Sequence, residues 1–309
     1  MEINFNNISK KFNNNLVLKN LNFTIKTNRI NCIVGKNGAG KTTLVKGLSG
    51  LLIFDDFDNI SINKKLYNIN FLHKNVSTSL GESRNLYLNL TLMQNIKYNL
   101  SLYSLKYNDK KNKIDYYLKL FKIENFENTI ISKLSKGTKQ KLSLIITLIK
   151  NSKILIFDEP DTGLDFESLN IFKKIIEREK KDRTVIITSH NIDLIQDVAD
   201  NIIILSNGVI DFCGNIYDFE NNQNSKIILE LSFENILSKK SEEILKLYSK
   251  NIEFKNNIIH ISINKNNIHE FFDTILKFGN KIIDIKTKNL LKNSMEEDFF
   301  KERGIQENA

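Results

Sequence analysis

The chain has 309 residues, room for two domains at roughly 100–200 residues each, and is 41% hydrophobic, enough to build a core. Its net charge is +9. Only five of its basic residues are arginines, which makes bidentate reading of base edges a poor fit, and no nucleic-acid partner is expected.

Past residue 220 there are 14 basic and 13 acidic residues, so nearly all of the excess charge lies in the first 220. A solvated, Lys-rich surface accounts for it, while by charge alone such a part also suits an anionic ligand, a membrane surface or nucleic acid. Cys32 and Cys213 stand in no metal-ligand spacing and read as reduced, buried thiols. The N-terminal MEINFNNISKKF lacks the apolar stretch of a signal peptide. The longest apolar runs, such as Leu144–Ile149 and Ile202–Leu205, fall far short of the ~18 residues of a membrane span. The expectation is a chain that does not cross a membrane by itself.

In chain order, Ile30–Val34 is the first run apolar at every position, as in a strand covered on both faces. A helix is predicted over Lys41–Leu52, with Leu44, Val45, Leu48, Leu51 and Leu52 on one side, and another over Lys139–Lys150. Buried strands follow at Ile154–Phe157, Val185–Ile187 and Ile202–Leu205, and Ser206-Asn207-Gly208 reads as a hairpin turn. Strands alternating with helices predict an α/β architecture. The polar stretch Asn221–Ser225 is the expected domain boundary. Beyond it come a strand at Ile227–Phe233, a helix at Ile236–Ser249, strands at Ile252–Phe254 and Ile258–Ile263, a helix at His269–Phe278 and a strand at Ile282–Lys286. That βαββαβ order is the ferredoxin-like pattern.

Gly35-Lys36-Asn37-Gly38-Ala39-Gly40-Lys41-Thr42 matches G-x-x-x-x-G-K-[ST] between the first buried strand and the first helix. The glycines let the backbone curl and aim its N–H groups at phosphate oxygens, and the helix adds its positive N-terminal end. Lys41 supplies a point charge to the outer phosphates, and the Thr42 hydroxyl, followed by Thr43, suits Mg²⁺ and phosphate binding. These features predict a site for a Mg²⁺-bound triphosphate. Its second half is the acid pair Asp158-Glu159 at the end of Ile154–Phe157. Asp158 would hold the Mg²⁺, and Glu159 would orient or deprotonate the attacking water, a role worth about 10²–10⁴-fold in rate. Pro160, the chain's one proline, ends that strand.

Between these two motifs stands Leu134-Ser135-Lys136-Gly137-Thr138-Lys139-Gln140, and after them come Thr162-Gly163-Leu164-Asp165 and Ser189-His190. In order and context this series resembles the ABC ATPases over about residues 1–215. The resemblance implies an α/β P-loop NTPase domain of ABC type with a helical subdomain over residues 1–220. A small α+β, ferredoxin-like accessory or regulatory domain is expected over residues 226–309.

Ser135 and Gly137 fall at a helix start, where hydroxyl, N–H and dipole can bind phosphate. Alone, the segment is a helix cap, and the two readings are compatible. The resemblance implies that Ser135, Lys136 and Gly137 contact the ATP of a partner subunit in a head-to-tail homodimer or heterodimer, with Asp165 touching the partner's site. It implies that His190 contacts the γ-phosphate and that Phe12 stacks on adenine. His73, His260 and His269 match no such position and read as ordinary residues.

The chain departs from the family at the loop that normally carries a Mg²⁺-sensing glutamine, where Glu82 stands. A carboxylate there can also meet Mg²⁺ or water. The surrounding Leu80–Tyr87 is similar to the same loop in exporter ATPases of the drug and polysaccharide branch, and Ser294–Phe300 is similar to the ending of those proteins. The resemblance therefore implies an exporter's ATPase subunit, cytoplasmic and peripheral on the inner face of the membrane, working with integral membrane permease subunits on separate chains. Two alternatives are a soluble ABC ATPase of translation or DNA repair and a degenerate subunit that binds ATP without turnover. The 94 residues between Lys41 and Ser135 leave no room for the coiled-coil arm common in the first. Intact Lys41, Asp158, Glu159 and His190 oppose the second.

Overall fold

The structure, a computed structural model, describes residues 2–62, 65–67, 70, 74–81, 86–223, 226–235, 237–249, 252–264, 267–277 and 281–288. Glu82, His73 and the Ser294–Phe300 segment lie outside the described residues. The chain divides into two compact units between Ile216 and Tyr217.

The first unit opens with an antiparallel pair, β1 (Glu2–Phe12) and β2 (Asn15–Lys26), which sequence periodicity does not reveal. The register slips three times along this pair, and Asn7 and Asn20 adopt positive φ of 56° and 50°, so the period-2 alternation is broken. With β4 (Asn59–Ile62) and β5 (Lys65–Tyr67) they form a sheet of order β2-β1-β4-β5. The second sheet holds β3 (Ile30–Val34), β6 (Val76–Ser79), β7 (Ile154–Asp158), β8 (Thr184–Ser189), β9 (Asn201–Ser206) and β10 (Val209–Asn215). Its order is β10-β9-β3-β8-β7-β6; all neighbours run parallel except the β9–β10 hairpin. The predicted turn is present there, with Asn207 and Gly208 at φ 47° and 79°. Strands β7, β8 and β9 run past the predicted apolar cores into polar ends, Asp158, Ser189 and Ser206, which the ladder carries to one edge.

Helix α1 (Lys41–Leu48) stops four residues before the predicted end at Leu52. Gly50 takes φ 76°, and the N–H groups of Leu51 and Leu52 turn back to the Lys46 carbonyl, a left-handed stop. Helices α2 (Leu92–Leu102) and α3 (Tyr107–Leu120) lie between the two halves of the predicted site; Thr91 and Gln94 close a reciprocal cap on α2. Helix α4 (Lys136–Ile149) begins three residues before the predicted start, because the Ser135 hydroxyl accepts the Thr138 N–H. Helices α5 (Phe166–Glu179) and α6 (Ile192–Val198) are capped by Asp165 and Asn191. Cys32 is buried as expected, and burial pushes its thiol up. Cys213 is a correction: it lies exposed on β10, a strand whose residues are otherwise exposed or half-buried.

Helix α7 (Ile216–Gln223) takes in Asn221–Gln223, which the sequence reading gave to a polar break. The second unit continues with β11 (Lys226–Phe233), α8 (Lys239–Leu245), β12 (Ile252–Lys255), β13 (Ile258–Asn264), α9 (Ile268–Lys277) and β14 (Ile282–Lys288). The sheet order is β12-β13-β11-β14 with every pairing antiparallel, the split arrangement expected of βαββαβ. Leu229, Leu231, Phe233, Ile259, Ile261 and Phe271 form its core. Helix α8 is shorter than predicted, since Ser238 caps it by accepting the Ser241 N–H.

In the first unit, Phe172 of α5 stands edge-on to Phe157 of β7, with centroids 5.1 Å apart and both rings fully buried. Phe157 immediately precedes Asp158, so this contact seats the acid-bearing strand end. Phe172→Ala is expected to cost about 3–5 kcal/mol in denaturant unfolding of the full chain; a loss below about 1 kcal/mol would show that the pair is not a packing anchor.

Candidate nucleotide site

Parallel pairing sets the carboxyl ends of β3, β8 and β7 side by side, and each end carries a loop with predicted site residues. At the end of β3 the chain curls through Gly35–Gly40 into α1. Gly40 is the helix N-cap with φ 106°, and a Cβ there would meet Leu18 Cδ2 at 2.7 Å, so only glycine fits. The helix then presents its N-terminal N–H groups to the space above the loop. Lys41, 5% exposed, donates from Nζ to the Gly35 carbonyl at 2.6 Å and the Lys36 carbonyl at 3.0 Å.

At the end of β7, Asp158 is 3% exposed and the Thr42 Oγ1 donates to its Oδ2 at 3.1 Å. Thr188 of β8 donates to Asp158 Oδ1 at 2.5 Å. Glu159 follows with φ 48°, a conformation costly for a side chain bearing Cβ. Its N–H is held by the Thr188 carbonyl and hydroxyl, each at 3.0 Å. The Glu159 carboxylate lies between two groups, with Oε1 3.5 Å from Lys41 Nζ and Oε2 2.6 Å from His190 Nδ1.

A cavity of about 410 Å³ opens here, lined by Lys36, Asn37, Gly38, Gly40, Lys41, Thr42, Thr43, Asp158, Glu159 and His190 among others. Lys41, Asp158, Glu159 and His190, predicted from three separate stretches, thus meet in one place. Gly35 and Ala39 are buried within the same loop. Thr162, from the Thr162–Asp165 motif, also lines the cavity. Val17 of β2 and Lys46 of α1 line it too and escaped the sequence reading, because no motif marks them. Thr188 escaped it too: within a run of buried β residues its hydroxyl carries no spacing signal. Phe12 sits at the end of β1, 46% exposed with Lys10 Nζ 5.5 Å over its ring, and is not among the cavity-lining residues.

Ser135, Lys136, Gly137 and Asp165 do not line this cavity either. Ser135 caps α4, and Gly137 lies so close to the next loop that a Cβ would stand 2.7 Å from the Gly163 carbonyl oxygen. Lys141 of α4 pairs with Asp165 at 3.2 Å across the same junction. The Asp165 carboxyl is held down at about 2, first by the Ser168 backbone N–H at 2.8 Å, then by the Ser168 hydroxyl and Lys141.

Two outcomes follow from this geometry. Thr188→Val strips a donor from the buried Asp158 and should destabilise the chain by about 1–3 kcal/mol in denaturant unfolding; an unchanged midpoint would mean the hydroxyl holds nothing. Asp165 titrates below its ordinary 3.8, so its capping contribution is present above that value and lost as pH falls through about 2. Carboxyl-carbon NMR should place its midpoint near 2, and a midpoint at 3.8 would contradict the bonded cap.

Comparison with known proteins agrees with the geometry. A family model described as ABC transporter matches residues 18–162. An uncharacterised ABC transporter ATP-binding protein of Methanocaldococcus jannaschii is 30% identical over 258 residues, covering 79% of this chain and 94% of that protein. The energy-coupling factor transporter ATP-binding protein EcfA1 of Thermotoga maritima is 31% identical over 220 residues, covering 71% of this chain and 84% of its own length. Among solved structures, the ATP-binding subunit of an ABC transporter shares the fold at TM-score 0.65 and 23% identity, covering 72% of this chain and 93% of that one. The relatives give the chain its family: it belongs to the ABC transporter ATP-binding proteins and is an ATPase.

Proposed function

We propose that this chain is the ATP-hydrolysing subunit of an exporter, driving membrane-spanning subunits carried on separate chains. The observation that carries the reading is the meeting of Lys41, Asp158, Glu159 and His190 at one cavity. The loop N–H groups and Lys41 would hold the triphosphate, and Glu159 would orient the attacking water and take its proton as the oxygen approaches the γ-phosphorus in line. The bond to the bridging oxygen then breaks, releasing ADP and phosphate. His190, bonded to Glu159 Oε2, would keep that carboxylate aimed and meet the γ-phosphate.

The Thr42 hydroxyl and the Asp158 carboxylate, 3.1 Å apart, are hard oxygen donors suited to Mg²⁺. Among the described residues no group of three or more His, Cys, Asp or Glu is set to hold a metal. Such a sparse donor set suits a cation that keeps waters and phosphate oxygens as its remaining ligands. When bound, Mg²⁺ neutralises charge on the phosphate oxygens. Glu82 is proposed to serve in the place of the usual glutamine.

That Ser135, Lys136, Gly137 and Asp165 lie off the chain's own cavity supports a head-to-tail dimer in which they complete a partner's site. Phe12, exposed at a strand end, is available for stacking on adenine. Among the described residues no helix is long and apolar enough to cross a membrane, in keeping with a subunit peripheral on the cytoplasmic face. Residues 1–220 are read as the ATP-binding domain and 226–309 as an accessory, regulatory one. The exporter direction rests on the Leu80–Tyr87 and Ser294–Phe300 similarities. Import is the second reading, favoured by the likeness to the energy-coupling factor protein. Vesicles reconstituted with the co-purified membrane partner distinguish the two by the direction of ATP-driven movement.

Glu159→Gln is expected to keep ATP binding and stabilise a dimer while kcat falls about 10²–10⁴-fold. An unchanged turnover rate would remove Glu159 from the chemistry.

A further inference from the structure

Two loops approach the cavity beside each other, 159–165 after β7 and 190–191 after β8, and a chain of hydrogen bonds ties them together. The Ser189 hydroxyl donates to Asp161 Oδ1 at 3.1 Å and accepts the Asn191 N–H at 2.9 Å. Ser189 is fully buried, so its hydroxyl has few other orientations that satisfy it. His190 lies between the two bonded residues, and its ring meets Glu159, two positions before Asp161. A closed ring results: Glu159 to His190, His190 through Ser189 to Asp161, and Asp161 through the backbone to Glu159. On its far side, Asn191 caps α6 by accepting the Leu194 N–H at 3.1 Å, which anchors the ring to a helix.

We propose that Asp161 is a positioning residue for the hydrolytic pair, setting the His190 loop against Glu159 through the Ser189 hydroxyl. The proposal rests on the reading of Glu159 and His190 as the hydrolytic pair. The chemistry requires an acceptor oxygen at the position of Asp161 Oδ1. An acceptor there fixes the Ser189 proton toward itself, and the serine lone pair is then directed at the Asn191 N–H. Remove the acceptor and the hydroxyl can rotate, which unties both sides of His190. The same segment also meets the helix that starts at Lys136: buried Gln140 donates to the Pro160 carbonyl at 3.2 Å, and the Leu164 N–H bonds the Asp161 carbonyl at 3.1 Å. Asp161 therefore stands where the segment leading to Asp165 and the histidine loop share a support. Displacement of the partner-facing segment would be felt at His190.

The test uses the full chain and two readouts. In steady-state ATP hydrolysis, Asp161→Ala should lower kcat about 10- to 100-fold with KM for ATP held within about twofold, as for a misaimed catalytic group. Asp161→Asn keeps a carbonyl acceptor and should recover most of that loss. Ser189→Ala should match Asp161→Ala, and the double variant should be no worse than either single one, the mark of a shared link. The second readout needs no turnover. The His190 ring resonances, assigned by their loss in His190→Gln, should move in Asp161→Ala toward their positions in Glu159→Ala. Losses that multiply, a KM that rises in step, or ring resonances that stay put would each overturn the proposal. Should Glu159→Gln turn over normally while the ring resonances move as expected, the positioning link stands and the base assignment goes.

Discussion

An ammonium withdrawn from water costs several kcal/mol unless acceptors surround it, and the architecture of the cavity follows from supplying them to Lys41. Two come from carbonyls of its own loop and a third from the Glu159 carboxylate 3.5 Å away. The loop has to curl through a left-handed glycine to turn those carbonyls inward. Glu159, in turn, has to adopt a backbone conformation that only outside support can maintain, and Thr188 supplies it from the adjacent strand. The site is thus a balance of groups none of which would hold its place alone.

Sheet order makes that balance possible. Strands β3, β8 and β7 are neighbours and parallel, although more than a hundred residues separate the first from the others. Their carboxyl ends fall on one edge, the usual place for a ligand in an open α/β sheet. Thr188 is the direct Cα partner of Asp158 on the middle strand, and this register brings its hydroxyl to the carboxylate.

The positions proposed to face a partner subunit gather at the starts of α4 and α5. Gly137 against Gly163 and Lys141 against Asp165 lock the two helix starts together, with Phe166 beside them 81% exposed. Helix N-termini offer N–H groups and positive potential to an anion. Here they do not line the chain's own cavity, which is what the proposed partner-facing role requires of them.

The loop Gly35–Thr42, the acid pair and the order of motifs were legible in the sequence because each depends on residue types at short, rigid spacing. The buried strands were legible because a sheet covered on both faces demands unbroken apolar runs. The βαββαβ order of the second unit could be read from alternation alone. Strands β1 and β2 could not, since asparagines in left-handed conformations interrupt their period. The helix ends at Leu48 and Ser135 were set by a glycine stop and a serine cap that apolar periodicity does not weigh. Only the tertiary structure decided that Thr188 and Val17 reach the site, that Asp161 meets the Ser189 hydroxyl and that Cys213 is exposed. Hydroxyls, carboxylates and thiols such as these gain their partners from strands and loops distant in the chain, and no local pattern records such a meeting.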